Sequence, residues 1–350
     1  MSVWAVVLAG GIGSRFWPLS TRERPKQLLP LVTGEPLLGG ALRRVVRLAT
    51  PDRTIVLTNA SLVEAVAAVA LEYGVPRGNI IAEPKPAGTA AALAWAALEI
   101  QRRAGSGSPV MVSVHADWAI GNEAAFIAAL GEAARIAVTA QKLVTVGVVP
   151  SRPDTGFGYI EPGAPAGGRA REVKRFVEKP DRDAARRMCA AGCLWNSGIF
   201  AWRVQDFLAE VRFHTRELDR ALDVASREPA DAAAFFAAAE PVSVDSGVLE
   251  RSSRVLVLPG DFGWDDVGTW AALQRVLPLD DAGNAVRGNV HALESGRNVV
   301  HAENGAIVMY GVSDLVVVAR DGLTLVTTVE RAADLKRLVE WLPAELREPA

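Results

Sequence analysis

Leu8-Ala9-Gly10-Gly11-Ile12-Gly13-Ser14-Arg15-Phe16-Trp17-Pro18-Leu19 decides how this chain is read. The apolar run before it, residues 4–9, has the length and composition of a buried strand. Three glycines then let backbone N–H groups approach a phosphate without interference from Cβ atoms. Arg15 can grip phosphate oxygens with two N–H groups at once. Arg24-Pro25-Lys26-Gln27-Leu28-Leu29-Pro30 follows and adds, at Lys26, a compact positive charge. A dinucleotide fold asks for G-x-G-x-x-G and an acid ending the second strand. Here the third glycine position is Phe16 and the second strand ends Thr58-Asn59, so that reading fails twice. No Walker A loop is present either, because no G-K-[ST] closes the motif. A plain glycine turn would explain a lone Gly-x-Gly, but not the glycine loop and P-K-Q-L-L-P together.

Outward from the loop, short apolar runs alternate with helical patterns. Residues 53–58, 79–82, 109–114 and 143–149 read as further strands. Between them Leu62, Val63, Val66, Val69 and Tyr73, and then Leu93, Ala97 and Ile100, recur at helical spacing. Such alternation predicts a mainly parallel sheet covered by helices. Ligands of such sheets lie outside the carboxyl ends of the strands, so the segments after Ala9, Ala82, Val114 and Val149 are where a site is expected. Residues 158–161 and 172–179 look like two strands joined by a Gly/Pro-rich loop, and helical segments are expected over 181–191 and, with breaks, 204–239. From Asp280 to Thr328 the chain turns to Val, Gly and Asn in short alternating runs, which reads as a small β domain. An amphipathic helix over 332–342 follows.

Composition bounds the chemistry. The 350 residues are 50% hydrophobic and 22% charged, with 38 basic against 40 acidic side chains and a net charge of -2. That is an ordinary globular composition without the basic excess of a nucleic-acid binder, so no nucleic-acid partner is expected. Cys189 and Cys193 are too few for a disulfide framework and suit a reducing cytoplasm. The N-terminus lacks a basic n-region, and no apolar stretch reaches the ~20 residues of a membrane span, so neither a leader nor a membrane partner is expected.

The glycine loop with P-K-Q resembles the signature of the sugar-nucleotide pyrophosphorylases. Phe176-Val177-Glu178-Lys179-Pro180 is similar to their E-K-P strand, Trp195-Asn196-Ser197-Gly198-Ile199-Phe200 to their W-N-S-G-x-F segment, and Gly263-Trp264-Asp265-Asp266-Val267-Gly268-Thr269-Trp270 to their W-x-D-x-G-x-W turn. R-F-W-P at 15–18 and P-x-T-G-F-G-Y-I-E at 153–161 bring the likeness closest to the mannose-1-phosphate guanylyltransferases, in the bacterial short form without an isomerase domain. The resemblance implies an α/β fold: a Rossmann-like nucleotidyltransferase domain over 1–280 and a small C-terminal β domain over 281–350. It implies GTP and mannose 1-phosphate as partners and Mg²⁺ or another divalent cation as cofactor.

Roles follow residue by residue from the same resemblance. Ala9, Gly10, Gly11, Gly13, Ser14, Arg15 and Lys26 would bind the nucleotide, Arg15 and Lys26 also acting in catalysis. Asp117, in His115-Ala116-Asp117-Trp118, and Asp266 would be the metal and catalytic carboxylates. Asp265 competes with Asp266, but adjacent side chains diverge, and register favours Asp266. Glu83, Gly88 and Thr89, in Glu83-Pro84-Lys85-Pro86-Ala87-Gly88-Thr89-Ala90, would face the base, Glu83 accepting the N1–H and N2–H₂ donors of guanine. Gly156, Tyr159, Glu178, Lys179 and Asn196 would take the sugar phosphate, Lys179 through its charge and Asn196 through an amide that both donates and accepts. The family pattern has Pro and His where His115 and Trp118 stand, and Asn where Gly88 stands. His115 reads as a hydrogen-bonded strand end, and Trp118 as a residue able to pack on nucleotide or sugar. A sister enzyme with another base or sugar, and a catalytically silent paralogue, are the alternatives. Short exposed strands over 285–328 point to a homodimer contact.

Overall fold

The computed structural model describes residues 2–11, 13–227 and 231–347, so Ile12 of the glycine loop lies outside the described residues. In chain order the first strands are β1 (Val3–Leu8), β2 (Thr54–Asn59), β3 (Ile80–Glu83), β4 (Val110–His115), β5 (Ala119–Ile120) and β6 (Leu143–Val148). Next come β7 (Tyr159–Pro165), β8 (Arg171–Val177), β9 (Leu194–Arg203), β10 (Val255–Gly260) and β11 (Trp264–Asp265). The last four are β12 (Ala285–Leu293), β13 (Val299–Tyr310), β14 (Leu315–Arg320) and β15 (Leu323–Thr328).

Two compact units share these elements. The first comprises residues 1–10, 41–115 and 122–262, and the second 11–40, 116–121 and 263–350. Compactness therefore divides the chain differently from a cut near residue 280, because the residues of the glycine loop pack with the C-terminal strands.

The first unit is a nine-stranded sheet of order β3-β2-β1-β4-β9-β6-β10-β8-β7. β1 pairs in parallel with β2 on one side and β4 on the other, so the chain switches direction across the sheet at β1. β1, β2 and β4 are buried along nearly their whole length, which is why they read as unbroken apolar runs. The helix Gly88–Ala104 covers the sheet with small residues: Ala90, Ala91, Ala92, Ala94, Ala96 and Ala97 are all buried. The switch at β1 puts Gly10, the end of β3 at Glu83 and the end of β4 at His115 on one sheet edge.

Beyond β4 the sheet becomes mixed. β9, which carries Trp195-Asn196-Ser197-Gly198, runs antiparallel between β4 and β6. No strand pattern marks this segment in the sequence, because Asn196, Ser197 and Gly198 interrupt the apolar run. The β7–β8 hairpin ends at Val177, two residues short of the expected strand, and leaves Lys179 in a left-handed turn at φ 43°. Stacked aromatics fill the core under β9, with the Trp202 and Phe207 rings 4.1 Å apart.

The second unit is built on a four-stranded sheet of order β12-β13-β14-β15, parallel except for β14–β15. Within the region of short alternating runs, Val299–Tyr310 forms one twelve-residue strand, β13. Its interior is marked by asparagine: buried Asn298 donates through Nδ2 to Asn284 Oδ1 at 2.9 Å. Apolar faces of β12 to β15 pack with Phe16, Trp17, Leu29, Leu31 and Trp270, so the chain around the glycine loop shares a core with the C-terminal strands. The expected last helix begins as a tight turn, Arg331–Asp334, and continues as Leu335–Trp341. Among the described residues no helix is long and apolar enough to cross a membrane.

Candidate active site

The second unit carries one group of candidate functional side chains and the first unit two. In the second unit the group forms around Lys26. Gly13 sits at φ 67°, and a Cβ there would lie 2.2 Å from Lys26 Cβ, so only glycine lets the loop close over this lysine. Ser20 Oγ donates to Gly13 O at 2.8 Å and holds the turn. Ser14 and Arg15 form an exposed single turn, Ser14–Phe16, whose Phe16 points into the core. Gly11 is exposed as well.

Lys26 is only 5% exposed. Its Nζ donates to Asp117 Oδ2 at 2.9 Å and to the Asp266 backbone carbonyl at 2.6 Å, and stands 5.9 Å from the centre of the Phe16 ring. An isolated buried ammonium would cost many kcal/mol, so the two oxygen partners are a condition for its burial. β5 and β11 pair antiparallel, which brings the Asp117 and Asp266 segments side by side. Trp118 and Trp264 pack edge to face, 5.9 Å apart, beneath that pair. Trp118 is buried, with its ring against Trp264.

The neighbouring aspartates diverge. Asp265 accepts from Arg275 Nε at 2.7 Å, from Arg275 Nη2 at 3.1 Å and from the Val267 N–H at 2.8 Å, so its carboxylate is a structural tie. Asp266 turns the other way, where a Cβ at Gly268 would fall 2.5 Å from its Oδ2. Burial pushes the Asp266 carboxyl above the usual carboxylate range, the Asp265 charge adds to this, and Lys26, Arg15 and Arg275 oppose it. A crowded carboxyl beside another negative charge gains from a cation. Asp117, 34% exposed, and Asp266 offer hard oxygen donors on adjacent segments, which fits an ion such as Mg²⁺ that takes one or two carboxylates and completes its shell with water and phosphate oxygens.

In the first unit a group gathers at the ends of β1 and β3. Thr58 Oγ1 donates to Ala9 O at 3.0 Å, and Asn59 Nδ2 donates to Gly10 O at 2.7 Å. The side chains ending β2 therefore hold the start of the glycine loop, a role that motif matching does not reveal. Glu83 approaches Gly10 closely: a Cβ on Gly10 would sit 3.5 Å from Glu83 Oε1. Burial pushes the Glu83 carboxyl up to about 7. Gly88 and Thr89 both meet residues 242–244. Gly88 sits at φ 81°, where a Cβ would collide with Val242 O at 2.2 Å, and Thr89 Oγ1 accepts from the Val244 N–H at 2.9 Å. Both serve the packing of residues 242–244 against the helix start.

A third group lies around β9. Lys179 Nζ donates to Glu178 at 2.6 Å, and both side chains are largely exposed. The Asn196 N–H donates to Gly158 O at 2.8 Å, and Asn196 Nδ2 donates to Asp245 Oδ1 at 2.7 Å. Tyr159 is fully buried, and its hydroxyl bonds the backbone of Asp154, so it supports the loop that carries Gly156 and offers no hydroxyl to a ligand. Asp154 Oδ1 accepts from the Gly156 N–H at 2.9 Å. Sequence reasoning misses Asp245. Its only signal is one acid inside the apolar run Val242-Ser243-Val244-Asp245-Ser246-Gly247-Val248-Leu249.

Comparison with known proteins identifies the family. Residues 4–282 match the family described as nucleotidyl transferase, and residues 288–342 the family described as MannoseP isomerase/GMP-like beta-helix domain. The chain is 37% identical over 356 residues to the xanthan biosynthesis protein XanB of Xanthomonas campestris pv. campestris (strain B100), covering 99% of this chain and 75% of that one. It is 36% identical over 360 residues to the mannose-1-phosphate guanylyltransferase of Escherichia coli (strain K12), covering 99% and 74%. A crystal structure described as mannose-1-phosphate geranyltransferase from Thermus thermophilus superposes with a TM-score of 0.89 at 33% identity, covering 97% of this chain and 99% of that one.

Proposed function

The chain belongs to the nucleotidyl transferase family, and from that premise we propose that it transfers GMP from GTP to α-D-mannose 1-phosphate, giving GDP-mannose and pyrophosphate. The observation that carries this reading is Lys26, buried between the Asp117 carboxylate and the Asp266 carbonyl. Nucleotidyl transfer needs a fixed positive charge at a phosphate and carboxylates for a metal, and this group supplies both.

The reaction has one displacement. A phosphate oxygen of the sugar 1-phosphate forms a bond to the α-phosphorus of GTP. The bond from that phosphorus to the β-phosphate oxygen breaks, and pyrophosphate leaves with the electron pair. The sugar phosphate is largely dianionic at neutral pH and needs no general base. Positioning and charge neutralisation then account for the rate. Gly11, Gly13, Ser14 and Arg15 are assigned to the triphosphate and Lys26 to charge at the α-phosphate. Ala9, Gly10 and Glu83 are assigned to the nucleoside, Glu83 accepting from guanine as a carboxylate. Glu178, Lys179 and Asn196 are assigned to the sugar phosphate. Asp117 and Asp266 would hold the divalent cation, which when bound supplies further neutralisation of triphosphate charge. Residues 1–280 are read as the nucleotidyltransferase domain and 281–350 as the C-terminal β domain. A cytoplasmic reaction suits the free thiols of Cys189 and Cys193.

The test is pyrophosphate release by purified protein with Mg²⁺ and mannose 1-phosphate, comparing GTP with ATP, UTP, CTP and dTTP. Release with GTP, abolished by EDTA, is expected. Preference for another base or sugar phosphate would move the chain to a sister activity, and no release with any pair would overturn the reading.

A further inference from the structure

Asp245 is the residue of the β9 group that no motif explains. It opens a π-helical turn, Asp245–Leu249, a form concentrated at functional sites. The turn is clamped from two sides. Thr89 Oγ1 receives the Val244 N–H just before it, and Thr215 Oγ1 donates to Gly247 O at 2.8 Å within it. The glycine at 88 allows the approach of Val242 that sets this clamp. Gly88 and Thr89 thus help fix the position of one aspartate.

The surroundings of that aspartate select a ligand. Protein surrounds the carboxylate, yet the residue keeps some exposed surface. Burial pushes its carboxyl up, Asn196 opposes this through its hydrogen bond, Glu178 adds to it through its charge, and His115 opposes it. A second phosphate-type anion would be repelled by the Glu178 and Asp245 charges. A neutral group that both donates and accepts would be welcome. Asn196 uses one amide N–H on Asp245 and retains the other, while a carboxylate can accept several hydrogen bonds. An alcohol can donate to Asp245 and accept from Asn196 at once.

We infer that Asp245 is a specificity residue of the sugar site, accepting a hydrogen bond from one ring hydroxyl of the sugar phosphate beside Asn196. This rests on the assignment of Glu178, Lys179 and Asn196 to the sugar phosphate. A site built to bond a hydroxyl rejects an analogue without it far more strongly than an apolar pocket does. With the carboxyl ionised the bond is charge-assisted and so among the stronger kinds.

The experiment is calorimetric titration of the full chain and of Asp245→Asn with mannose 1-phosphate, with each of its monodeoxy analogues, and with GTP. For the unaltered protein, one deoxy analogue should bind at least about 10-fold more weakly than the parent sugar phosphate. Asp245→Asn should weaken the parent by a similar factor, leave the affinity for GTP within about twofold, and lose its further penalty on that one analogue. Equal losses on every analogue and on GTP would show a structural role and overturn the inference. So would unchanged affinities. If Asp245→Asn fails to fold, Asp245→Glu and the deoxy series on the unaltered protein decide the matter, and a flat series overturns it. If the unaltered protein binds GTP but no sugar 1-phosphate, the proposed function and this inference fall together. If it binds mannose 1-phosphate and Asp245→Asn binds it equally, only the inference falls.

Discussion

The Lys26 group and the Asp245 group each set a carboxylate against a side-chain donor, and they balance the charge by different means. At Lys26 an ammonium meets the Asp117 carboxylate at 2.9 Å and a carbonyl at 2.6 Å, so charge faces charge. At Asp245 a neutral amide, that of Asn196, donates at 2.7 Å. The first arrangement suits a ligand of high charge, because the local field is already set for it. The second suits a polar but uncharged group read by hydrogen-bond direction. Under the proposed function, charge and shape recognition fall to separate parts of the chain, and substitutions should separate them.

The largest effect is expected at Lys26. Lys26→Ala should lower kcat by on the order of 10²–10³, as loss of one preorganised charge does elsewhere. Added mannose 1-phosphate should not restore the rate, and near-normal steady-state turnover would break the contrast between the two groups. Asp117→Asn and Asp266→Asn should each cost about 10² in turnover and raise the Mg²⁺ concentration needed for half-maximal rate, measured by metal titration. An unchanged metal requirement in both would remove them from the cation's shell.

Glu83 gives a smaller effect that depends on pH. Its carboxyl lies at about 7 because of burial, against an ordinary 4.5. Guanine recognition needs the carboxylate, so the KM for GTP should fall roughly 10-fold between pH 6 and pH 8. Stability runs the other way. The folded state holds this proton more tightly than the unfolded state, so the contribution is full below 4.5 and is lost as pH rises through about 7. Thermal melts of Glu83→Gln should accordingly lose less stability than the parent between pH 5 and pH 8. Parallel melting curves in the two proteins would remove the burial effect.

The smallest catalytic effect is expected from Asp265→Asn. Asp265 ties Arg275 and the Val267 N–H, and losing the charge should cost about 2 kcal/mol of stability. Turnover should stay within about twofold. A large loss of rate with an unchanged melting temperature would reverse the assignment of the two neighbouring aspartates.

Much of this is legible in the residues. The parallel strands around β1 announce themselves as apolar runs because both faces are buried. The glycine loop and Lys26 are legible because the glycine turn and the lysine it packs on lie close together in the chain. β9 is not, since Asn196-Ser197-Gly198 lacks the alternation of a strand, and its place between β4 and β6 comes from pairing with partners distant in the chain. Asp245 is hidden for a related reason: one acid in an apolar run has no local pattern. The packing roles of Gly88 and Thr89 are equally invisible locally, because Val244, the partner of Thr89, lies 155 positions along the chain.

By itself, the sequence determined the chemistry on offer: a glycine turn, a lysine, two well-placed aspartates and an α/β frame with a C-terminal β domain. Those depend on short-range properties, namely backbone freedom, charge and the period of apolar residues. Only the tertiary structure decided that Asp265 ties Arg275, that the Trp118 ring meets Trp264, and which carboxylate stands beside Asn196. Burial and hydrogen-bond partners settle those questions, and both are set by residues brought together from distant parts of the chain.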